Sequence, residues 1–238
     1  MSGDVRRVQV GDLDMTVVVD GEGRDLLLLH GGGEGADGLA ELGALLVAGG
    51  HRVLAPEQRA HGRTPGMAPL SYEAMAADTA GLLDALELRG VDVVGWSDGG
   101  ILGLMLARDR PELVRRLVPI GANASIDSDP SPIASEAFAW FEQVDPETVP
   151  LAVPVEWRRE QFQMWRTGPL LPIADLARIA APVLLISADR DLVSLEHTAA
   201  LLAALPDGRL AVIPGTKHDV PRTHPAIVAG LVEDFLAA

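Results

Sequence analysis

The 238-residue chain contains no cysteine, a single lysine (Lys217) and nine aromatic residues. The absence of cysteine excludes disulfides, a thiolate nucleophile and a zinc site built on cysteine. Long apolar runs are also missing, because stretches such as Ile101–Ala107 fall far short of the roughly 20 residues of a membrane span. The composition therefore argues against both thiol chemistry and membrane insertion.

Positive charge is scarce: 19 Lys and Arg residues stand against 34 Asp and Glu residues, which gives a net charge of −15. Phosphate backbones and anionic membranes repel such a chain, so no nucleic acid and no membrane are expected as partners. Residues 1–15 carry charges where a signal peptide needs an apolar stretch, so cytoplasmic residence is expected. At 48% apolar and 22% charged residues the composition is that of a globular protein, with monomer and homodimer both open.

The order of apolar runs predicts the fold class. Two alternating runs, Val5–Val10 and Leu13–Val19, flank Gly11-Asp12 and indicate an opening β-hairpin. Six later runs lack alternation, which is typical of strands buried on both faces of a parallel sheet. These runs are Leu26–Leu29, Val53–Ala55, Val91–Gly95, Leu117–Ile120, Val183–Ile186 and Leu210–Ile213. Helical stretches lie between them, at Asp37–Ala48, Ser71–Leu88, Gly99–Arg108, Glu196–Ala204 and Pro225–Leu236. This alternation predicts a doubly wound α/β sheet of eight strands.

One connection is far longer than a crossover requires. About 55 residues separate the sixth and seventh predicted strands. Residues 124–178 are expected to form a small helical cap on a core made of residues 1–123 and 179–238. Six of the nine aromatic residues lie in this segment: Phe138, Trp140, Phe141, Trp157, Phe162 and Trp165. They either pack as the core of a subdomain or wall a substrate pocket as part of a lid. If the segment is a lid, the expected substrate-binding residues are Trp140, Phe141, Phe162 and Trp165.

A nucleophile elbow is predicted at Ser97. The segment Gly95-Trp96-Ser97-Asp98-Gly99 matches G-x-S-x-G, and it lies between a buried strand and an apolar helix. A serine on such a tight turn needs small neighbours, which the two glycines provide. The turn also directs N–H groups of the helix N-terminus toward the hydroxyl, where they favour a developing oxyanion.

A serine hydroxyl needs a base and an acid before it can act as a nucleophile. His218 follows the last predicted strand and is the expected base, whereas His51 and His197 are expected to be exposed to solvent. Two acids, Asp189 and Asp191, follow the preceding strand at the carboxyl edge of the sheet, where this class of sheet places its site. The chain order of serine, acid and histidine is the order of an α/β-hydrolase.

A glycine-rich turn, His30-Gly31-Gly32-Gly33, follows the first buried strand. Glycine lets the backbone approach a substrate carbonyl closely, so the backbone N–H groups of Gly32 and Asp98 are the expected oxyanion hole. Neither G-x-G-x-x-G nor a P-loop lysine is present, which argues against a nucleotide site. No cofactor and no metal are expected.

Together these motifs resemble those of the α/β-hydrolase superfamily over nearly the whole chain. The resemblance implies an eight-stranded, mostly parallel sheet with flanking helices, a helical cap after the sixth strand, and a catalytic triad of Ser97, Asp191 and His218. Asp191 is preferred to Asp189 because the family's acid ends a G-x-x-D pattern, in which Ala188 here replaces the glycine. The family's D-x-R-G-x-G-x-S loop is also altered, since residues 57–64 read EQRAHGRT.

Within the superfamily, residues 95–101, 121–124 and 215–218 resemble the valacyclovir hydrolases, also called biphenyl hydrolase-like proteins. That family hydrolyses esters of α-amino acids and holds the substrate ammonium on the Asp after the nucleophile. The resemblance therefore implies an ammonium-binding role for the side chain of Asp98. A purely structural role is the alternative, because an acid in the first turn of a helix gains about 0.3–1 kcal/mol from the helix dipole. The cap segment matches this family poorly and leaves the substrate open.

The sequence thus predicts a serine hydrolase that cleaves a small carboxylic ester or amide through an acyl-enzyme on Ser97, with α-amino acid esters favoured. The same triad also serves C–C bond cleavage, lactone opening and aminopeptidase-type hydrolysis. A biosynthetic, non-hydrolytic enzyme of the same fold is a further alternative. An intact triad argues against a ligand receptor without catalytic activity.

Overall fold

The computed structural model describes residues 3–124, 139–140 and 142–238. Within them eight strands form one sheet, in the order β1-β2-β4-β3-β5-β6-β7-β8. Their bounds are β1 Asp4–Val10, β2 Leu13–Asp20, β3 Arg24–Leu29, β4 His51–Pro56, β5 Val91–Trp96, β6 Val114–Ile120, β7 Val183–Arg190 and β8 Gly208–Lys217. The pairs β1–β2 and β2–β4 are antiparallel, and β3 to β8 run parallel. The predicted eight-stranded, mostly parallel sheet is confirmed.

Helices follow the strands in the predicted alternation. They are α1 Ala40–Ala48, α2 Tyr72–Ala85, α3 Asp98–Asp109, α4 Arg158–Thr167, α5 Leu195–Ala204, α6 Val220–Thr223 and α7 Pro225–Ala237. Helix α2 begins at the predicted cap, because the hydroxyl of Ser71 accepts a hydrogen bond from the backbone N–H of Ala74 at 3.2 Å. It ends at Ala85, earlier than the predicted Leu88, since Glu87 has a φ of 55° that no α-helix continues.

Both faces of the sheet are apolar, as strands without alternation require. On one face Leu27 and Leu29 of β3 pack into the core that α2 and α3 cover. On the other face Leu26 and Leu28 pack into the core that α1 and α7 cover. Because helices occupy both faces, the loops at the carboxyl edge of the sheet remain as the place for a site.

Two histidines that were expected at the surface are buried, so that prediction is wrong. His51 is 7% exposed, with Nε2 3.2 Å from Oε2 of Glu233 on α7. His197 is 2% exposed and its Nε2 accepts the backbone N–H of Ala124 at 3.2 Å. Burial lowers the pKa of His197 to about 4, so this imidazole is neutral at physiological pH. Neither partner is near its histidine in sequence, which is why the local pattern gave no sign of burial.

The described part of the insertion between β6 and β7 contacts the glycine-rich turn. Ala152 donates its backbone N–H to the carbonyl of Gly33 at 2.7 Å and accepts the N–H of Gly62 at 2.6 Å. These hydrogen bonds hold the insertion beside the loop that follows β3. The division into a core of residues 1–123 and 179–238 and a cap of residues 124–178 stays a prediction. No helix in the described ranges is long and apolar enough to span a bilayer.

Candidate active site

Ser97 occupies the turn between β5 and α3. Its φ of 52° and ψ of −116° place a non-glycine residue in a strained backbone conformation. A Cβ at Gly95 would lie 2.2 Å from the carbonyl oxygen of Gly99, and a Cβ at Gly99 would lie 2.3 Å from that of Leu29. The two glycines of the motif are therefore required by the close approach of the backbone, as the elbow pattern predicts.

His218 joins the serine to an acid. Its Nε2 lies 2.9 Å from Oγ of Ser97, and its Nδ1 lies 2.6 Å from Oδ1 of Asp191. The side chain of Asp191 is fully buried and its Oδ1 also accepts the backbone N–H of Val193 at 3.2 Å. With Nδ1–H donating to the carboxylate, Nε2 carries the lone pair that can accept the serine proton. The loops after β5, β7 and β8 thus bring the three predicted residues together.

Asp189, the other candidate acid, points to a different partner. Its Oδ1 accepts the backbone N–H of Thr216 at 3.1 Å. Hydrogen bonds from the backbone of Gly215 and then of Thr216 lower the pKa of this carboxyl. Asp189 therefore stays ionised and holds the loop that precedes His218, while Asp191 contacts the imidazole.

Two backbone donors lie beside Ser97 in a pocket of about 180 Å³. The N–H groups of Gly32 and Asp98 donate to no atom of the described residues. A Cβ at Gly32 would lie 2.1 Å from Oδ2 of Asp98 and 2.7 Å from Nε1 of Trp165, so a larger residue there would displace the carboxylate or the indole. Two unengaged N–H groups beside Ser97 are compatible with the predicted oxyanion hole, which stays a prediction.

The side chain of Asp98 is buried, at 7% exposure. Its Oδ1 accepts the hydroxyl of Tyr72 at 2.8 Å, and its Oδ2 accepts Nε1–H of Trp165 at 2.9 Å. Burial raises the pKa of this carboxyl, and the hydrogen bonds from Trp165 and Tyr72, together with the charge of His218, oppose that rise in part. Both donors are neutral, and no lysine or arginine of the described chain forms an ion pair with Asp98. The carboxylate thus has hydrogen bonds but no fixed countercharge.

The predicted cap aromatics take different positions. Trp165 lines the pocket that holds Ser97. Phe162 is fully buried and does not line that pocket; its ring centroid lies 5.1 Å from that of Trp165 and 5.8 Å from that of Trp140. Trp140 is 46% exposed and also does not line it. Phe141 lies outside the described residues.

Sequence reasoning did not identify Tyr72, Asn123, Gly168 and Leu192, which complete the pocket wall. Tyr72 is the only tyrosine of the chain, and its place at the start of α2 follows from the Ser71 cap. Its contact with Asp98, however, depends on how α2 packs beside the elbow. No cluster of His, Asp and Glu in the described ranges could hold a metal ion.

Two buried histidines hold the glycine-rich turn. His30 donates Nδ1–H to the carbonyl of Gly31 at 2.8 Å, and its Nε2 accepts a backbone N–H at 3.1 Å. His61 accepts the N–H of Gly33 on Nε2 at 3.2 Å and donates Nδ1–H to a backbone carbonyl at 2.9 Å. Burial lowers the pKa of His30, and it lowers the pKa of His61 to about 3. Both imidazoles are therefore neutral, and protonation of Nε2 in either would break a bond that shapes the turn.

We expect acid to destabilise the fold through His61. Its folded-state pKa of about 3 lies below the ordinary 6.5, so its contribution to stability is complete above pH 6.5 and is lost as the pH falls toward 3. His61→Gln keeps an acceptor for Gly33 and cannot take up a proton. Between pH 7 and pH 4.5, the free energy of unfolding of the unaltered protein, measured with urea, should fall by about 2–3 kcal/mol more than that of the His61→Gln variant. Parallel pH curves for the two proteins would contradict this role.

Comparisons with known proteins bear on the family and the fold of the chain. The sequence model of a family described as the alpha/beta hydrolase family matches residues 26–231. The chain is 29% identical over 178 residues to serine hydrolase BPHL of Mus musculus, an alignment that covers 69% of this chain and 61% of that protein. It is 38% identical over 121 residues to the 2-hydroxy-6-oxo-2,4-heptadienoate hydrolase of Pseudomonas putida, which covers 49% of this chain and 44% of that one. The chain thus spans less than two thirds of the length of either relative.

A solved structure gives the same fold. The crystal structure of a hydrolase from Pseudomonas aeruginosa superposes with a TM-score of 0.81, at 24% identity, over 100% of both chains. At that identity the likeness concerns the fold, and the chemistry depends on the residues described above.

Proposed function

The chain belongs to the alpha/beta hydrolase family, and on that premise we propose that it is a serine hydrolase that cleaves small carboxylic esters. The observation that carries the proposal is the chain of hydrogen bonds from Ser97 through His218 to Asp191, with distances of 2.9 and 2.6 Å. The two aligned relatives described above are both named as hydrolases, which supports hydrolysis as the reaction class.

In the proposed mechanism, Nε2 of His218 takes the hydroxyl proton while Oγ of Ser97 attacks the ester carbonyl. The N–H groups of Gly32 and Asp98 donate to the oxyanion of the tetrahedral intermediate. His218 then returns the proton to the leaving alcohol, and the acyl group stays on Ser97. A water molecule, deprotonated by His218, releases the acid in a second tetrahedral step. Asp191 keeps the imidazole oriented and stabilises its positive charge throughout.

The carboxylate of Asp98 supports α-amino acid esters as the substrate class. It is buried beside the proposed oxyanion hole, and its two protein donors are neutral. A substrate ammonium would supply the missing positive charge and gain about 1.5–3 kcal/mol from a charge-assisted hydrogen bond. The resemblance to the valacyclovir hydrolases supports the same assignment. A structural role, in which Asp98 only ties α2 and α4 to the elbow, is the competing explanation.

Labelling by a fluorophosphonate probe tests the nucleophile directly. We expect the folded protein to be modified at Ser97, as located by peptide mass spectrometry, because an activated serine hydroxyl attacks the phosphorus. Ser97→Ala should abolish the modification, and Ser194→Ala, at the start of α5, should retain it. The proposal fails if folded protein resists the probe, or if the label persists in Ser97→Ala.

A further inference from the structure

A second cavity, called here the outer cavity, lies beside the pocket of Ser97. It has a volume of about 430 Å³ and lies between residues 68–73, which lead into α2, and helix α4 with the residues that follow it. Tyr72 and Gly168 line both the outer cavity and the Ser97 pocket. The two spaces are therefore neighbours across one tyrosine ring and one glycine.

Gly168 keeps this boundary thin. Its backbone is extended, with φ −140° and ψ 176°, a conformation that any residue adopts. A Cβ there would lie 3.1 Å from Cδ2 of Tyr72, which is closer than ordinary van der Waals contact. A larger residue would thus press on Tyr72, whereas glycine lets the backbone pack closely on the ring and keeps the wall between the two spaces thin.

The Ser97 pocket alone is small for a substrate site. Its volume of about 180 Å³ lies below the range of roughly 300–1,000 Å³ for pockets that bury small ligands. With the outer cavity added, the combined volume falls within that range. A substrate that uses both spaces would therefore be buried to the usual extent.

The strand order indicates which end of the substrate enters the outer cavity. Ser97 follows β5, and His218 follows β8 at one edge of the sheet. Tyr72 begins α2, which packs against α3 and against β1 at the opposite edge, so Tyr72 and His218 lie on opposite sides of the serine. The leaving oxygen has to face His218, because it receives the proton from that imidazole. The acyl chain then extends away from His218, toward Tyr72 and the outer cavity.

The lining gives the chemistry of the occupant. Leu70, Met164 and Leu170 supply apolar walls, and the exposed carboxylates of Glu73 and Glu160 also line the cavity. Apolar walls favour a hydrocarbon chain, and the two carboxylates repel a negative charge at its end. Resting on the proposed serine hydrolase function, we propose that the outer cavity binds the acyl chain of the substrate, an apolar chain that continues past Tyr72 and bears no terminal anion.

Binding of unreactive amides to the Ser97→Ala protein tests this without turnover. We expect hexanamide to bind about 15-fold more tightly than butanamide in ligand-observed NMR titrations, since each buried methylene contributes a factor of roughly four. Hexanamide with a terminal carboxylate, the monoamide of adipic acid, should bind more weakly than hexanamide itself. Equal affinities for hexanamide and butanamide, or no measurable binding of hexanamide, would overturn the proposal.

A cavity-filling variant locates the effect. Thr167 ends α4 and lines the outer cavity without lining the Ser97 pocket, so Thr167→Trp should reduce the hexanamide preference to less than about threefold. Thr148→Trp places the same ring at an exposed threonine outside both cavities and should keep the preference. Leu170→Trp, at a 59% exposed position of the same wall, replaces Thr167→Trp if the latter does not fold. A preference that survives filling of the cavity would refute the assignment.

The outcome is independent of the nucleophile test. If Ser97 resists the fluorophosphonate probe while the chain-length preference depends on residue 167, the serine hydrolase function fails and the cavity remains a binding site. If Ser97 is labelled and no chain-length preference exists, the function stands and the outer cavity is not part of the substrate site.

Discussion

Asp191→Asn is expected to lower kcat for ester hydrolysis by roughly 10⁴-fold, the loss typical of a triad whose acid becomes an amide. Asn keeps the shape of the side chain and places an amide at the position that accepts Nδ1–H of His218 at 2.6 Å. Without the negative charge, the imidazolium that forms during proton transfer loses its partner. An amide NH₂ facing Nδ1 also favours the tautomer that carries its proton on Nε2, which cannot accept a proton from Ser97.

Asp189→Asn is the matched control, because it makes the same substitution two positions earlier in the chain. Its amide oxygen can still accept the N–H of Thr216, so we expect a loss in kcat of less than about tenfold. Steady-state hydrolysis of a nitrophenyl ester near pH 8 measures both variants, and unchanged near-ultraviolet circular dichroism confirms that each is folded. Comparable losses in the two variants, or a larger loss for Asp189→Asn, would show that the acid is misassigned.

Asp98→Asn is expected to remove a preference of roughly ten- to 150-fold for an α-amino acid ester over the same ester without its amino group. The amide replaces the carboxylate with little change in shape: its oxygen can accept Nε1–H of Trp165, and its NH₂ can donate to the hydroxyl of Tyr72. The backbone N–H of residue 98 is unaffected. The variant therefore deletes the negative charge while it keeps the contacts that join α2 and α4 to the elbow.

The ratio of kcat/KM for alanine ethyl ester to that for ethyl propanoate measures this preference. Hydrolysis of ethyl propanoate by Asp98→Asn serves as the internal control, and it should stay within a few-fold of the unaltered protein because the triad and the proposed oxyanion donors are the same. If the ratio is the same in both proteins, Asp98 has only the structural role. If hydrolysis of both esters falls together, the substitution has disturbed the elbow and the ammonium assignment is also rejected.

The fold and the elbow follow from short-range features of the chain. Apolar runs without alternation can be satisfied only where both faces of a strand are covered, and β3 confirms this with side chains in both cores. The glycines around Ser97 meet a steric requirement that operates within a few residues, as the 2.2 and 2.3 Å separations at Gly95 and Gly99 show. Such features can be predicted from the sequence because the interacting groups are close in the chain or repeat with a fixed period.

The environment of each polar group was decided by long-range packing. His197 was expected at the surface because it lies in a helix that was predicted to be a surface helix, yet its side chain is buried and its Nε2 accepts the backbone N–H of residue 124. Phe162 was expected either to pack in the core of the cap or to line the substrate pocket; it is fully buried, packs against Trp165 and does not line the Ser97 pocket. Helix periodicity predicts which residues share a face; which face meets the site depends on where the helix docks.

The sequence by itself therefore determined the sheet, the elbow at Ser97 and the positions of the base and the candidate acids at the carboxyl edge. Only the tertiary structure decided that Asp98 is held by Tyr72 and Trp165, that Asp189 holds a loop, and that a second cavity adjoins the pocket. The physical reason is the range of the interactions. Strand burial and turn sterics are set by neighbours in the chain, whereas a buried carboxylate and a cavity are defined by residues tens of positions apart.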